Sequence, residues 1–163
     1  MLQLTACGFH LKGTGEKGVY AFKSIQVIEN NATHRELVVN LKRQLTASNV
    51  DLVVSSQYIP ELVLELDQTR LKSSTTSTSG LGAETSELLT MSQAYVVTDS
   101  RSNKVVAQAT AKVWRDRLIN NAARLASESE LRQIRAQMRA DLAQQILQRL
   151  QHIKLPNTSL RAK

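Results

Sequence analysis

The sequence has little of several residue types on which common functional sites depend. Its 163 residues include one cysteine, six glycines, three tyrosines, two phenylalanines and one tryptophan. A single cysteine cannot form an internal disulfide, and no paired cysteines or Cys/His cluster has the spacing of a metal site. The scarcity of glycine and aromatic residues counts against a glycine-rich phosphate loop and against an aromatic platform for stacking bases.

Long apolar runs are also absent. No stretch approaches the roughly 18 apolar residues of a membrane-spanning helix, so the sequence predicts no helical membrane crossing. The composition, 42% hydrophobic and 21% charged, is that of a folded chain and not of a disordered one. The length suits one domain with a buried core of its own.

Catalytic patterns are missing as well. The histidines at positions 10, 34 and 152 have no partner at metal-ligand spacing, and neither GxSxG nor HExxH occurs. We expect His34 on a solvated helix surface beside Glu36. The sequence therefore predicts a protein that is not an enzyme and that holds no metal or other cofactor.

The charge is unevenly distributed along the chain. Lys and Arg number 21 against 14 Asp and Glu, for a net charge of +7. Residues 1–111 carry 10 basic and 10 acidic side chains, whereas residues 112–163 carry 11 basic and 4 acidic ones. Such a basic segment indicates an anionic partner such as nucleic acid, an acidic protein or a charged lipid, unless the arginines only solubilise a helix face.

Hydrophobic periodicity predicts two helices. Residues 33–36 (THRE) form a capping box, in which the Thr33 hydroxyl and the Glu36 carboxylate would satisfy free backbone amides. Apolar residues follow at helical spacing, and Asn49 suits a left-handed stop. A second capping box, residues 127–130 (SESE), opens a C-terminal helix. Its apolar stripe consists of Leu131, Ile134, Met138, Leu142, Ile146 and Leu150.

Alternating apolar residues predict four strands. The first begins at Lys23, and a short apolar piece at residues 52–54 leads into the second. The other three strands cover residues 61–71, 87–98 and 105–115. We expect residues 72–82 (KSSTTSTSGLG) to form the flexible tip of a long hairpin and residues 99–104 (DSRSNK) to form a turn.

These elements predict an α+β fold, a two-layer sandwich in which a four-stranded mixed sheet carries two helices on one face, in the order β-α-β-β-β-α. A right-handed crossover would make the first two strands parallel, and two hairpins would make the other pairs antiparallel. We assign residues 23–153 to this single domain, residues 1–22 to an N-terminal tether and residues 154–163 to a flexible tail.

This topology has two distinct ends. If the first strand runs upward, the hairpin tip and the loop between the last strand and the last helix both lie at the top. Cys7, the 99–104 turn and the end of the last helix lie at the bottom. The top end would gather five cations on or near flexible loops, namely Arg70, Lys72, Arg115, Arg117 and Arg124.

Cys7 lies in a short motif with a chemical meaning. Residues 4–8 (LTACG) match the bacterial lipobox, in which an apolar residue and two small ones precede a cysteine that is acylated on sulfur and becomes the mature N-terminus. Residues 1–3 are too few for the charged and apolar regions of a signal peptide, which has either been trimmed from this start or is missing. Gly8 in place of Asp favours the outer membrane over the inner one in bacteria that use that sorting rule.

Three segments together resemble one family, the lipopolysaccharide-assembly lipoproteins called LptE or rare lipoprotein B. The resemblance is carried by residues 4–13 (LTACGFHLKG) for the acylated start, 111–115 (AKVWR) for the end of the last strand, and 125–130 (LASESE) with 139–150 (RADLAQQILQRL) for the C-terminal helix. It spans nearly all of residues 7–153, in order and at matching intervals. Trp114 stands where the family usually has Phe or Tyr, and the hairpin tip lacks the basic residue that the family often has there.

The resemblance implies a lipoprotein of the outer membrane, acylated at Cys7 with chains such as palmitate and facing the periplasm. Such proteins pair with the large β-barrel LptD, plug its lumen, help it to assemble and bind lipopolysaccharide on its way to the outer leaflet. The family's fold, two helices on a four-stranded sheet, agrees with the one predicted above. Because lipid A phosphates are anionic and Arg and Lys bind such groups through charge-assisted hydrogen bonds, the five cations of the top end are the predicted contacts.

Two other functions stay open. The protein could be a barrel plug and assembly factor whose surface only complements the lumen, without direct lipopolysaccharide binding. A more distant alternative is a basic nucleic-acid-binding module with an accidental lipobox, although no helix-turn-helix signature precedes the arginines of the last helix. We therefore expect lipopolysaccharide, the LptD barrel and the membrane as partners, and no nucleic acid.

Overall fold

The structure is a computed structural model that describes residues 20–54, 58–120 and 122–155. Two helices pack on one face of a five-stranded mixed sheet, which confirms the predicted α+β class. The elements in chain order are β1 (Ser24–Glu29), α1 (Arg35–Ala47), β2 (Asp51–Leu52), β3 (Leu62–Thr78), β4 (Glu84–Asp99), β5 (Lys104–Leu118) and α2 (Arg124–Gln151).

The strands are ordered β2-β1-β3-β4-β5 across the sheet. β1 pairs in parallel with both β2 and β3, whereas the β3–β4 and β4–β5 pairs are antiparallel. These pairings confirm the parallel first pair and the two hairpins. The sequence predicts four strands, and the fifth is β2, whose Asp51 and Leu52 pair with Ser24 and Ile25. Two residues are too few to produce an alternating pattern.

One hydrophobic core fills the space between the sheet and the two helices. Residues without any solvent exposure come from the sheet and from both helices, and they include Ile25, Leu41, Leu45, Leu62, Leu64, Met138, Leu142, Ile146 and Leu150. The apolar stripe of the last helix is confirmed from Met138 onward, and Leu131 and Ile134 pack against the same core at its margin.

The first hairpin extends further than the sequence predicts. β3 continues to Thr78, so most of the Ser/Thr-rich segment 72–82 is strand and not a flexible tip. Side chains pair across this part of the hairpin, where the Thr75 hydroxyl donates to Glu84 Oε1 at 2.6 Å. Threonine is β-branched and favours an extended strand, although the low-complexity composition of the segment is typical of a flexible loop. The remaining tip is short and includes Gly82, whose φ of +80° suits glycine.

The N-cap of α1 lies one residue later than Thr33, to which the first predicted capping box assigns it. The Thr33 hydroxyl donates to the Asp67 carbonyl oxygen at 2.9 Å, so this side chain ties the loop to β3 and does not cap the helix. The N-cap residue is His34, whose Nδ1 accepts a hydrogen bond from the Glu36 amide at 3.3 Å. The predicted left-handed stop is confirmed, since Asn49 has a φ of 59°.

α2 begins ahead of the second predicted capping box. Its N-cap residue is Ala123, which makes no side-chain cap, and the helix continues through residues 127–130. Ser127 is buried inside the helix, where both its carbonyl oxygen and its hydroxyl accept from Arg117. The prediction of a helix start at Ser127 is therefore wrong, because a buried arginine on β5 uses the hydroxyl that would have capped it.

The strand directions give the molecule two ends. The β3–β4 tip and the β5–α2 connection lie at the top end. The start of the described chain, the 99–104 turn and the end of α2 lie at the bottom end. β1 pairs with β3 only as far as Leu66. The upper part of the sheet therefore consists of three strands, β3, β4 and β5. In the described part of the chain, neither helix has the length and hydrophobicity needed to span a membrane.

Candidate functional site

The five predicted cations of the top end lie on different surfaces. We call the sheet side on which no described helix packs the open face. Arg70 and Lys72 lie on this face in β3, whereas Arg115 and Arg117 in β5 point to the helix side. Arg124 is the first residue of α2. The topology therefore brings these residues to one end of the molecule but does not bring them together on one surface.

Strand register aligns two rows of residues across the open face. The rows are Arg70–Ser92–Lys112 and Lys72–Thr90–Trp114, each running from β3 through β4 to β5. Directly opposed residues of antiparallel strands point to the same face. Neighbouring strands are about 4.8 Å apart, so the β3 and β5 members of one row are separated by about 10 Å.

We call Arg70, Lys72, Lys112 and Trp114 the open-face patch. All four residues are exposed, and Trp114 keeps 54% of its surface accessible. Within the described parts of the chain, the three cations make no ion pair and no side-chain hydrogen bond. They are therefore available to an external anion.

The sequence predictions omitted Lys112 from the candidate residues. The signal for it was present in β5, where Ala111 and Val113 are buried and the residues between and after them alternate to the other face. Strand alternation alone places Lys112 on the same side as Trp114. Alternation does not determine the register between strands, which aligns Lys112 with Arg70 and Trp114 with Lys72.

Arg117 is buried in an ion-pair cluster that joins β5 to β4 and α2. Its Nη1 donates to Glu87 Oε1 at 2.6 Å, and its Nη2 donates to the Ser127 carbonyl oxygen at 3.0 Å. Its Nε lies 3.9 Å from Glu130 Oε2 and makes no hydrogen bond. Only 7% of the Arg117 side chain is exposed, so this guanidinium is committed to internal partners.

Arg115 is also engaged on the helix side, at the outer edge of the sheet. Its guanidinium donates to Asp141 of α2 and to the Trp114 carbonyl oxygen, the latter at 2.8 Å. Nearby, the Gln145 amide both accepts from the Lys112 backbone N–H at 3.2 Å and donates to its carbonyl oxygen at 3.1 Å. These contacts satisfy backbone groups on the edge strand and fix the strand that carries Lys112 and Trp114.

A shallow concavity of about 540 Å³ lies lower on the open face. Its lining includes the acidic residues Glu65 and Asp67, together with Glu29, whose side chain points to the helix side. Glu29 is paired with Lys42 at 3.3 Å. The open face therefore carries negative charge in its lower part and positive charge in its upper part.

The pKa of His34, the N-cap residue of α1, is lowered by its surroundings. Partial burial, followed by the charge of Arg139, lowers the pKa of His34, and Glu36 acts in the opposite direction. Arg139 Nε donates to Glu36 Oε2 at 2.7 Å, which links α2 to the first turn of α1. Neutral His34 is the form that can accept the capping hydrogen bond.

Two predicted features fall outside what the structure describes. Cys7 and the lipobox precede the first described residue, and the predicted tail after Leu155 follows the last one. Arg124 lies in α2, but its side chain is also outside the described part. Among the described residues, no group of three or more His, Cys, Asp or Glu side chains converges as a metal site.

Comparison with known families identifies the chain. The sequence profile of LptE, described as lipopolysaccharide-assembly, matches residues 22–150. The chain belongs to the LptE family. The matched range contains all five strands and all of α2 except its last residue, so the family match and the fold coincide. LptE membership implies a role in lipopolysaccharide assembly, and the resemblance found in the sequence is confirmed.

Solved structures share the LptE fold at low sequence identity. Rare lipoprotein B from Shewanella oneidensis superposes with a TM-score of 0.67 at 23% identity, covering 78% of this chain and 92% of that one. Lipoprotein B from Nitrosomonas europaea gives a TM-score of 0.72 at 20% identity, with 88% and 90% covered. A minor lipoprotein from Acinetobacter baumannii gives 0.64 at 19% identity, with 81% and 92% covered. At these identities the likeness shows the fold alone. Comparison with curated proteins finds no match.

Proposed function

We propose that this LptE-family chain is an outer-membrane lipoprotein that binds lipopolysaccharide and, with the LptD β-barrel, delivers it to the outer leaflet. In the same complex it plugs the barrel lumen and helps the barrel to assemble. The observation that carries the proposal is the family match over residues 22–150. The proposed role consists of binding and assembly, so it includes no catalytic step and no cofactor.

The proposed lipopolysaccharide contacts are the cations of the top end. Arg70 and Lys72 have no partner among the described residues, which supports direct contact with lipid A or core phosphates. Arg115 and Arg117 would have to leave Asp141 and Glu87 to make such contacts. We therefore propose that these two arginines shape the top end, and we retain Arg124 as a contact at the start of α2.

The proposed anchor is an acylated Cys7. Each buried CH₂ of an acyl chain contributes about 0.8 kcal/mol, so several chains on one residue hold a protein firmly at a bilayer. The described chain begins at the bottom end, whereas Arg70 and Lys72 lie in the upper part of β3. An anchor attached through residues 8–19 would leave the upper part of the molecule free to face its ligand.

Direct lipopolysaccharide binding distinguishes the proposed function from that of a plug that only fills the barrel. The test uses a Cys7→Ser variant, purified without detergent, immobilised and titrated with lipopolysaccharide at low and high salt. We expect saturable retention that weakens with salt, because the phosphate contacts are screened. No retention at low salt would favour the plug without ligand binding.

Lipidation is tested separately, on protein purified from membranes of its host. Intact mass should show Cys7 as the N-terminal residue and carrying acyl chains, and processing should be blocked by globomycin. The Cys7→Ser variant serves as the control and should stay unprocessed. An unmodified Cys7 in the membrane fraction would contradict the anchor.

A further inference from the structure

We propose that the open-face patch is a binding site for a phosphorylated saccharide, in which the phosphate binds the three cations and a sugar ring packs on Trp114. The inference rests on the proposed function and makes it more specific: the open face recognises the phosphosugar headgroup of lipopolysaccharide, and it does so without the acyl chains. Neither Lys112 nor Trp114 belongs to the basic cluster expected from the sequence.

The hydrogen-bond donors of the open-face patch lie in two adjacent rows. Arg70 and Lys112 flank Ser92 in one row, and Lys72 lies beside Thr90 in the next. The two hydroxyls are partly exposed between the cations. A phosphate placed over Ser92 and Thr90 would be within reach of flexible cationic side chains from both outer strands, since each outer strand lies about 4.8 Å from β4. Guanidinium and ammonium groups together with hydroxyls are the donors that phosphate sites use.

The cations of the open-face patch differ from the arginines on the helix side in their partners. Arg115, Arg117 and Arg139 each hold a carboxylate partner at the boundary between the sheet and α2 or between the helices. In contrast, the three cations of the open-face patch make no such contact within the described residues. Like charges gathered on one surface repel one another unless an anion is present.

An exposed tryptophan lies beside the cations. Trp114 follows Lys112 on the same face of β5, and 54% of its surface remains accessible. One face of a sugar ring carries C–H bonds, which pack favourably on the electron-rich face of an aromatic ring. In a phosphorylated saccharide, the phosphate would therefore bind the cations while the adjacent sugar ring packs on the Trp114 indole.

The neighbouring side chains define the extent of the site. Ser92 and Thr90 between the outer strands are polar, and the next row along the face, Ser74–Leu88–Asp116, has one apolar member. Acyl chains would gain little from such a surface, so the headgroup is the part that fits. Asp116 lies two residues beyond Trp114 on the same face, and Glu65 and Asp67 lie below Arg70. These carboxylates disfavour an anion outside the patch.

Trp114 is the only tryptophan in the chain, so its fluorescence reports on this surface alone. The probe is deacylated lipopolysaccharide backbone saccharide that retains its phosphates, titrated into the Cys7→Ser protein. We expect a saturable change in tryptophan emission, which is abolished when the saccharide is first treated with phosphatase. The test variant is Arg70→Gln/Lys72→Gln/Lys112→Gln, and we expect its apparent Kd to rise at least tenfold.

The matched control removes three cations elsewhere. Arg43→Gln/Lys104→Gln/Arg132→Gln makes the same change in net charge at exposed positions of α1, β5 and α2. Its Kd should stay within about twofold of the wild type, whereas Asp116→Asn should tighten binding. Circular dichroism and thermal melting of each variant establish that its fold is retained.

The outcomes separate the site from the proposed function. If the wild type and the triple open-face variant retain intact lipopolysaccharide equally well and the phosphorylated saccharide leaves Trp114 emission unchanged, the open-face site is wrong and the proposed function stands. If the triple variant binds saccharide normally but no longer copurifies with a barrel, the patch is a protein contact and the inference is also wrong. If no variant, wild type included, binds lipopolysaccharide, both proposals fail.

Discussion

Gln93 is completely buried on the helix side of β4, at a position where strand alternation favours an apolar residue. Its Nε2 donates to the carbonyl oxygens of Asp67 and Ala94, at 2.5 and 2.9 Å, and its Oε1 accepts from the Thr69 hydroxyl at 2.6 Å. The β3–β4 register shifts between Leu66 and Thr69. This side chain therefore satisfies polar groups at the bulge in β3.

Replacing Gln93 by Leu should destabilise the protein by about 1–3 kcal/mol, because the three side-chain hydrogen bonds to Asp67, Thr69 and Ala94 are lost. Urea denaturation measures the loss. Gln108→Leu, at an exposed position of β5, is the control and should change stability by about 0.5 kcal/mol or less. Equal stability of the Gln93→Leu variant and the wild type would contradict the role assigned to this amide.

Arg117 gives a second prediction at the scale of single residues. Arg117→Leu should cost about 3 kcal/mol, since it leaves Glu87 without its guanidinium partner where only 13% of the Glu87 side chain is exposed. Arg117→Leu/Glu87→Leu should recover most of that stability, because both charges are removed together. The comparison variant is Arg115→Leu, whose pair with Asp141 is much more exposed and contributes about 0–1 kcal/mol. Chemical denaturation measures the free energy of unfolding of all three variants. A double variant as unstable as Arg117→Leu would contradict the explanation.

At the scale of elements, the first turn of α1 contains a pH-sensitive cap. The pKa of His34 is lowered mainly by burial and further by Arg139, so the folded state favours the neutral ring. The unfolded chain, with a pKa of about 6.5, binds a proton more readily. The stabilisation is therefore complete above about pH 6.5 and is lost as the pH falls through the lower pKa of the folded state. Protonation also removes the acceptor that receives the Glu36 amide.

His34→Asn should make stability less dependent on pH between about 7.5 and 5, because asparagine caps helices well and does not titrate in this range. Thermal midpoints of the wild type and the variant at both pH values measure the difference. The direction is fixed: the wild type should lose more stability on acidification than the variant. Parallel pH profiles would show that His34 titration is not coupled to the cap.

The fold was predictable from the sequence where periodicity is long. The stripe around Leu142 and the alternation of β4 and β5 identified a helix and two strands that the structure confirms. The predictions failed where local signals compete with tertiary contacts. Ser127 has the residue pattern of a cap, but the buried Arg117 takes its hydroxyl. The Ser/Thr-rich end of β3 has the composition of a loop, but β4 provides a complete partner strand.

The candidate site was less predictable than the fold, because its members come from three strands. The sequence identified cations near the top end, but it could not distinguish Arg117, which is buried with Glu87, from Arg70, which has no such partner in the described chain. That distinction depends on which face each side chain occupies and on the register between strands. A one-residue change of register would move every one of these side chains to the other face.

At the scale of the whole molecule, the proposed functions are distributed between its two ends. The described chain begins at the bottom end, where the 99–104 turn and the end of α2 also lie. The three-stranded upper part of the sheet carries the open-face patch and is free of helices on that side among the described elements. An anchored protein of this shape would present its unpaired cations away from its acyl chains.

The most direct test of this account is a pull-down of the tagged, full-length lipoprotein from detergent-solubilised membranes of its own host, with the eluate identified by mass spectrometry. We expect a large outer-membrane β-barrel at near-equal stoichiometry, together with lipopolysaccharide that is reduced when Arg70, Lys72 and Lys112 are replaced. The control eluate comes from cells that express the untagged protein. Recovery of the lipoprotein alone, as a single species with neither barrel nor lipopolysaccharide, would contradict it.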